Sequence, residues 1–420
     1  MTSPLYLGLD MGTSGARGIV IDQHGTLIAS SQSNLHDHGS NPRDPAGWWA
    51  AVSAVLRQLR QTVDMSAVAA LCVDATSGTV LAIDADGVPL ADALMYNDTV
   101  NDQTVLNSIA AHAPATSAVH GASSALARAL TLQQSHSPCR VIHQADWING
   151  QLSGDYHSSD ESNALKTGYD PVARVWPDWL ENTGIALSIL PTVIAAGAVA
   201  GSVSADVVAE YGFSPATKLV AGMTDGCASF LATGATEVGD CVTALGSTMT
   251  MKMLCDRPLF NPEYGIYSHR IGNRWLAGGA SNTGGQVLAH FFSVDALNSL
   301  SEKIDPETDS GLAYYPLVKP GERFPHNNAD WPPVVSPRPA DDSEFLKALL
   351  EGMATIEQTG YQRLNELGAP AIRSLRTVGG GAANPVWTRI RERKLGQTSE
   401  NALSTEAAMG VARFALESLG

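Results

Sequence analysis

The chain has 420 residues, of which 44% are hydrophobic and only 16% are charged, and its formal net charge is −16 with seven lysines. A chain of this length can form two or three domains with sizeable cores. The acidic balance argues against nucleic acid or an anionic membrane surface as the main partner, because both are bound through basic patches. The acidic net charge is still compatible with a small anionic ligand if backbone amides, a metal ion or a few arginines bind it locally.

The sequence shows neither a targeting segment nor a membrane span. The first ten residues are too short and lack the charged flank of a signal peptide, and no apolar run approaches ~18 residues. Five cysteines are spread through the chain: Cys72, Cys139, Cys227, Cys241 and Cys255. Their odd number and the lack of a CxxC motif indicate reduced, mostly buried side chains rather than a metal or redox site. We therefore expect a cytoplasmic protein.

The N-terminal part is predicted to begin with three strands in an antiparallel meander, at residues 5–9, 17–21 and 26–30. Asp44 and Pro45 are typical of the N-cap and first position of a helix. The apolar residues that continue this helix are Trp49, Val52, Leu56 and Leu59. Two further strands are expected at 68–73 and 219–222, and a polar turn follows each of them.

The same order of elements then starts again. Strands are predicted at 240–245, 249–254, 264–269, 274–278 and 375–378, a long helix at 344–367, and a helix that begins at Asn384-Pro385. We place a boundary near Thr233. The prediction is an N-terminal domain at 1–232, a C-terminal domain at 233–404, and a last helix at 405–420 that packs back on the first domain.

The first candidate motif is the turn Asp10-Met-Gly-Thr13-Ser-Gly between two strands. Small residues let the backbone approach a ligand and direct N–H groups at an anion. The carboxylate of Asp10 could hold a hydrated Mg²⁺, and Gly12 and Thr13 could contact phosphate. The same residues are also compatible with an ordinary hairpin turn.

A second turn, Gly246-Ser247-Thr248, occupies the matching place in the second half, and two equivalent hairpins together can clamp phosphates. Gly379-Gly380-Gly381 follows a strand and precedes the helix capped by Asn384, so a base and ribose could approach its backbone. The alternative is a plain glycine-rich loop. No GxxxxGK[ST] motif is present, which excludes a Walker-type P-loop.

Two further carboxylates follow predicted strands. Asp225 could accept the proton of an attacking hydroxyl, or it could simply cap the next helix. Asp74 ends a strand that points to the same place, so a role beside the site is plausible. His36-Asp37-His38 has the spacing of a solvated turn rather than a metal pair.

Over essentially its whole length the chain resembles the FGGY-type carbohydrate kinases. The segments that carry this resemblance are DMGTSGARGIVID at 10–22, QADWINGQLSG at 144–154, DESNALKTGYD at 160–170, LVAGMTDGCASFLATGA at 219–235, TALGST at 243–248, VGGGAANPVW at 378–387 and STEAAMGVA at 404–412. The phrases DATSGTV, SNTGGQ, SGLAYYPL and GERFP are most similar to the short cyanobacterial and plant-type branch, which contains D-ribulose kinases. Asp170 and Asn163 match family positions of uncertain role.

The resemblance implies an α/β fold of two ribonuclease-H-like domains, as in the actin, Hsp70 and sugar kinase superfamily, with a cleft between them. It implies ATP and Mg²⁺ as cofactors and D-ribulose as the acceptor, phosphorylated to D-ribulose 5-phosphate. Asp225 would be the general base, Asp10 the metal ligand, and Asp10, Ser77 and Asp225 the sugar contacts. The implied nucleotide contacts are Gly12, Thr13, Gly246, Ser247, Thr248, Gly380, Gly381, Asn384 and Trp387.

Two segments depart from the family pattern and leave the sugar open. Where many members have Trp-x-Asp-x-Arg, this chain has Tyr96-Asn-Asp98-Thr-Val100, and a Lys–aromatic–x–Trp signature is replaced at Arg128-Ala-Leu-Thr. D-Xylulose, L-ribulose or another polyol such as glycerol therefore stay as alternative substrates. A non-catalytic regulator that binds ATP and sugar is the alternative from another class. The expected partners are small molecules only, with the chain as a monomer or homodimer.

Overall fold

A computed structural model describes residues 3–136 and 139–419. The chain forms two compact units. The first contains the described residues up to Ala232, the short segment His269–Gly272 and the residues from Glu406 onward; the second contains Thr233–Ser268 and Asn273–Thr405. Along residues 3–136 and 139–419, no helix combines the length and the apolar character needed to cross a bilayer.

The strands of the first unit form one large sheet and two small ones. They are β1 (Leu5–Gly12), β2 (Gly15–Asp22), β3 (Leu27–Asn34), β4 (Val68–Ala75), β5 (Val80–Ile83), β6 (Arg140–His143), β7 (Ser158–Asp160), β8 (Thr192–Ile194), β9 (Val199–Ser202) and β10 (Lys218–Thr224). The large sheet has the order β3-β2-β1-β4-β10-β9, while β5 pairs with β6 and β7 with β8. β1, β2 and β3 are antiparallel, as the sequence predicts, whereas β4 runs parallel to β1 and to β10.

The helices of this unit are α1 (Pro45–Leu59), α2 (Gln103–His112), α3 (Ala125–Ser135), α4 (Gln144–Ser153), α5 (Glu161–Ala164), α6 (Trp179–Asn182), α7 (Ala205–Tyr211) and α8 (Asp225–Ala232). Asp44 caps α1 by accepting a hydrogen bond from the Ala46 N–H, and Pro45 follows it as predicted. Of the apolar residues at the predicted helical spacing, Val52, Leu56 and Leu59 are buried in the core, while Trp49 is half-buried and packs against it. The adjacent Trp48 is fully buried.

The second unit repeats the meander followed by parallel strands. Its strands are β11 (Asp240–Leu245), β12 (Met249–Cys255), β13 (Tyr267–Ile271), β14 (Arg274–Ser281), β15 (Ser374–Val378) and β16 (Ser399–Glu400), in the order β13-β14-β12-β11-β15-β16. Neighbours are antiparallel from β14 through β12 to β11, and then parallel from β11 through β15 to β16. The predicted α/β fold with a sheet in each half is thus confirmed.

The strand expected at 264–269 begins three residues later. Gly265 adopts a φ of +71°, and a Cβ there would lie 1.9 Å from the Arg323 carbonyl oxygen. This left-handed residue turns the chain before β13 and prevents a continuous strand.

The remaining helices are α9 (Gly285–Phe291), α10 (Val294–Ser301), α11 (Asp342–Glu366), α12 (Pro385–Leu395) and α13 (Ala407–Leu419). The long helix α11 contains two glycines that weaken a helix prediction, and packing explains both. A Cβ at Gly352 would lie 2.8 Å from the Tyr314 carbonyl oxygen, and one at Gly360 would lie 2.6 Å from the Phe324 ring. Close approach of neighbouring segments therefore outweighs the low helix propensity of glycine.

The helix α13 belongs to the first unit, where it packs against β1, β2, β4 and α8. α13 lies close to β1 and to α8 because each of these contacts includes a glycine, Gly8 in β1 and Gly410 in α13. A Cβ at Gly8 would lie 1.9 Å from the Ala408 carbonyl oxygen, and a Cβ at Gly410 would lie 1.9 Å from the Ala228 carbonyl oxygen.

Candidate active site

Three carboxylates lie where three parallel strands of the first unit end. Asp10 in β1 is the register partner of Asp74 in β4, and Asp225 directly follows Thr224, the last residue of β10 and the partner of Ala75. Because parallel strands end at the same edge of a sheet, these residues converge. Asp74 is fully buried, Asp10 is 6% exposed and Asp225 is half-buried.

The buried pair Asp10 and Asp74 is electrostatically strained. Burial raises the pKa of Asp10 to about 6, with Asp225 adding to the increase while hydrogen bonding to Asp74 and the charge of Arg17 oppose it. Burial, followed by the charges of Asp10 and Asp225, raises the pKa of Asp74 well above its usual value. Neither Asp74 oxygen meets a hydrogen-bond donor among the described residues. The two carboxyl groups therefore satisfy each other only when they share a proton, or when a cation approaches.

Arg17 brings a positive charge to this cluster. Its Nη1 lies 3.5 Å from the Asp10 Oδ2, and its Nε lies 3.2 Å from Glu406, just ahead of α13. Arg17 is more than a third exposed, so solvent screens these contacts. Arg17 therefore offsets the negative charge of the cluster only in part.

The predicted phosphate turn connects β1 and β2 beside these carboxylates. Gly12 is half-buried, while Thr13 and Ser14 are exposed at the tip. Gly15 closes the turn where no side chain fits, since a Cβ would lie 2.1 Å from the Ser33 carbonyl oxygen. The turn thus places Thr13 and Ser14, with their hydroxyl groups, at the surface.

The predicted sugar contact Ser77 follows Asp74 by three residues, but its hydroxyl is enclosed and meets no partner among the described residues. The turn itself is fixed by the Thr76 hydroxyl, which lies 2.7 Å from Thr79 Oγ1 and donates to Gln144 Oε1 at 2.5 Å. The Thr76 N–H also donates to Gln144 Oε1. Sequence reasoning missed Gln144 because this contact joins positions 68 residues apart.

The second unit contains a cavity of about 470 Å³ that is lined by its glycine turns. Of the predicted nucleotide residues in this unit, those at the cavity are Gly246, Ser247, Gly380, Gly381, Asn384 and Trp387. Thr248 is not among the lining residues; its carbonyl accepts a hydrogen bond from the Gly246 N–H and closes the hairpin. The helices α9 and α10 add an apolar wall of Leu288, Val294 and Leu297, which the sequence reading did not identify.

The loop between β15 and α12 contains three glycines, of which Gly379 and Gly381 have no room for a side chain. Gly379 has a φ of +88°, and a Cβ there would lie 2.7 Å from the Leu245 carbonyl oxygen. A Cβ at Gly381 would lie 2.5 Å from the Trp387 ring, whereas one at Gly380 meets nothing within 4 Å. Asn384 caps α12 by accepting from the N–H groups of Val386 and Trp387, and its amide donates to the Ser301 hydroxyl at 2.9 Å.

Comparison with known proteins gives the family. The model of the FGGY family of carbohydrate kinases, N-terminal domain, matches residues 5–117, and that of the C-terminal domain matches residues 239–415, together more than half of the chain. The chain belongs to the FGGY family of carbohydrate kinases. As a carbohydrate kinase it is similar to the xylulose kinase of Escherichia coli (strain K12), with 24% identity over 98% of this chain and 89% of that protein. It is also similar to a gluconokinase of Bacillus licheniformis, with 22% identity over 93% and 82%.

Solved structures show the same fold. The xylulose kinase from Rhodospirillum rubrum has a TM-score of 0.82 at 22% identity, with 99% of this FGGY chain and 90% of the other covered. The Plasmodium falciparum glycerol kinase with ADP has a TM-score of 0.84 at 15% identity, again with 99% and 90% covered. These likenesses establish the architecture.

Proposed function

We propose that this carbohydrate kinase transfers the γ-phosphoryl group of ATP to D-ribulose and forms D-ribulose 5-phosphate. The observation that carries the proposal is the convergence of Asp10, Asp74 and Asp225 at the ends of three parallel strands. A carboxylate at such an edge can accept a proton from a sugar hydroxyl.

In this proposal Asp225 is the general base. It starts the helix α8 and its Oδ1 accepts a hydrogen bond from the Gly226 N–H at 2.7 Å, which fixes the carboxylate at the strand end. Phosphoryl transfer has a loose transition state, so positioning of the acceptor oxygen and stabilisation of charge matter more than base strength. A half-buried carboxylate suits that task because it is held and still reachable.

ATP is assigned to the cavity of the second unit. The apolar wall and Trp387 offer surface for the base, and Gly246, Ser247, Gly380 and Gly381 let the backbone approach the ribose and phosphates. Gly12, Thr13 and Thr248 are proposed as further phosphate contacts. The cavity volume is within the range of small-molecule sites.

The carboxylates of the first unit fit Mg²⁺. Magnesium prefers hard oxygen ligands and keeps several waters, so one or two carboxylates suffice, and the unsatisfied Asp74 beside Asp10 is such a donor set. When bound, the ion would neutralise phosphate charge, and Asp10 is the residue proposed to hold it.

The charge of the site favours a neutral sugar over a sugar acid. With one proton shared between Asp10 and Asp74, the cluster with Asp225 still carries negative charge, which the partly exposed Arg17 offsets in part. An aldonate would bring another carboxylate into this field, which like-charge repulsion disfavours. Among neutral sugars, D-ribulose is preferred on the resemblance to the plant-type branch, while several relatives are named xylulose kinases.

The test is ADP release by the purified protein with D-ribulose, D-xylulose, L-ribulose, glycerol and D-gluconate. We expect the highest kcat/KM for D-ribulose and none for gluconate. Asp225→Asn should lower kcat about 10²–10⁴-fold, the usual contribution of a general base, with ATP binding unchanged. A variant that retains more than a tenth of the activity would exclude the base role.

Two outcomes separate the alternatives. A higher kcat/KM for D-xylulose or L-ribulose would change the substrate but keep the chemistry. ATP hydrolysis that no sugar accelerates, together with sugar binding, would instead favour the non-catalytic regulator.

A further inference from the structure

The side chain of Arg128 in α3 is buried, at 1% exposure, and is surrounded by backbone carbonyls. Its Nη1 donates to the carbonyl oxygens of Asp98 and Ser123, both at 2.9 Å, and of Tyr96 at 3.3 Å. Its Nη2 donates to the Gly78 carbonyl oxygen at 2.8 Å. One guanidinium thus joins three segments that are far apart in the sequence.

The segments joined by Arg128 border the proposed sugar site. Gly78 belongs to the turn that follows Asp74, and 95–98 is the loop where this chain departs from the family pattern. The loop is tied to the same turn by the Tyr96 N–H, which donates to Thr79 Oγ1 at 3.1 Å. Between them, Tyr96 and Asn97 stay exposed.

The loop is held from its other side as well. Both terminal nitrogens of Arg43 donate to the Asp98 carboxylate, whose Oδ2 also accepts from the Met95 N–H. Asp98 pairs with Arg43, and among the residues that the structure describes Arg128 forms no ion pair, although the charge of Asp98 still acts on it through space. Burial lowers the pKa of Arg128 to about 10, so it stays protonated near neutral pH.

Burial of a cation without an ion-pair partner costs stability. The role of Arg128 therefore lies in the backbone segments that its guanidinium holds in place. Arginine carries five donors in a rigid plane, which matches several carbonyls at once, whereas lysine has one compact ammonium. Without the guanidinium, four carbonyls lose a donor and the turn and loop are no longer joined. Ligand binding would then include the entropy loss of ordering them.

We propose that Arg128 is a positioning residue for the sugar acceptor, which holds the turn at 76–79 and the loop at 95–98 in one arrangement beside Asp74 without touching the sugar. The inference rests on the proposed function, because it assigns these segments to the sugar side of the reaction. It predicts that sugar binding depends on Arg128, while ATP binding does not.

The experiment compares Arg128→Met and Arg128→Lys with Arg391→Lys. Arg391 is an equally buried arginine in the second unit that pairs with Glu357, so its variant controls for loss of a buried guanidinium. We expect Arg128→Met to raise the sugar KM by about tenfold or more, with kcat within about threefold and the ATP Kd unchanged. Arg128→Lys should fall between wild type and Arg128→Met, and Arg391→Lys should reduce the melting temperature without changing the sugar KM.

Equilibrium sugar binding, measured as the sugar-induced rise in melting temperature, should follow the same order. An unchanged sugar KM in Arg128→Met, or equal increases in the sugar and ATP constants, would overturn the inference. If Arg128→Met does not fold, a wild-type sugar KM in Arg128→Lys has the same consequence. Absence of sugar phosphorylation by the wild type would overturn the proposed function and, with it, this inference.

Discussion

The adjacent glycines Gly380 and Gly381 provide a sharp test of the nucleotide site. Both line the cavity of the second unit, and both have backbone angles that alanine can adopt. A methyl group at Gly380 meets nothing within 4 Å, whereas one at Gly381 would lie 2.5 Å from the Trp387 ring and 2.8 Å from the Leu245 Cβ. The two alanine variants are thus adjacent in the chain, but only the methyl group at Gly381 would meet neighbouring atoms.

The expected magnitude follows from those distances. Carbon atoms pack at about 3.5–4.0 Å, so the Gly381 methyl group would be about 1 Å too close to its neighbours. Trp387 is 1% exposed and Leu245 is 2% exposed, so neither can retreat into solvent. Overpacking of this kind costs about 1–3 kcal/mol. In a domain of this size that lowers Tm by about 2–4 °C per kcal/mol.

Nucleotide affinity should change as well, because Trp387 is itself part of the cavity wall. Displacement of the ring can also remove contacts with the nucleotide, and a loss of about 1–3 kcal/mol of such contact, separate from the overpacking of the free protein, corresponds to about tenfold to hundredfold weaker binding. The assay is calorimetric titration of ADP into wild type, Gly380→Ala and Gly381→Ala, with thermal unfolding of each. We expect Gly380→Ala to unfold at the wild-type Tm, because its methyl group meets nothing within 4 Å, and Gly381→Ala to lose both stability and affinity. Equal losses of Tm in the two variants, or a wild-type Tm in Gly381→Ala, would refute the reasoning.

Two further predictions concern the first unit. Asp74→Asn should raise Tm relative to wild type more at pH 8 than at pH 4 in metal-free buffer. The raised pKa of Asp74 means that folding opposes ionisation of this carboxyl group, so its cost to stability grows as pH rises, and Asn has no such group. A Tm difference that is independent of pH would contradict this. Gly410→Ala should destabilise the fold by about 1–3 kcal/mol or more, since its Cβ would lie 1.9 Å from the Ala228 carbonyl oxygen. The control Gly201→Ala, with nothing within 4 Å, should stay near wild type in urea unfolding, and equal midpoints would contradict the packing argument.

The features that the sequence predicts well are local ones. The meander of β1 to β3, the Asp44 and Asn384 caps and the strand before Asp225 all follow from patterns within a few residues. Apolar runs, turn residues and caps act through neighbouring backbone groups, so a short window contains the information.

The features that sequence reasoning missed depend on distant contacts. Trp48 is fully buried and Trp49 only partly, because contacts with distant parts of the unit decide how far each of two adjacent rings is covered. Gln144 and Arg128 act on backbone groups 30 to 68 residues away. The Ser77 hydroxyl is enclosed because distant segments pack around its turn, and a local sequence pattern does not contain that information.

The packing of α13 has a consequence for how the protein is made. This helix covers β1, β4 and α8, yet the ribosome synthesises it only after the whole second unit. Throughout translation of that unit, the surface around Gly8 and Ala228 lacks its cover. The first unit to emerge is therefore the last to be completed, and the nascent chain must keep that apolar surface from other partners until α13 arrives.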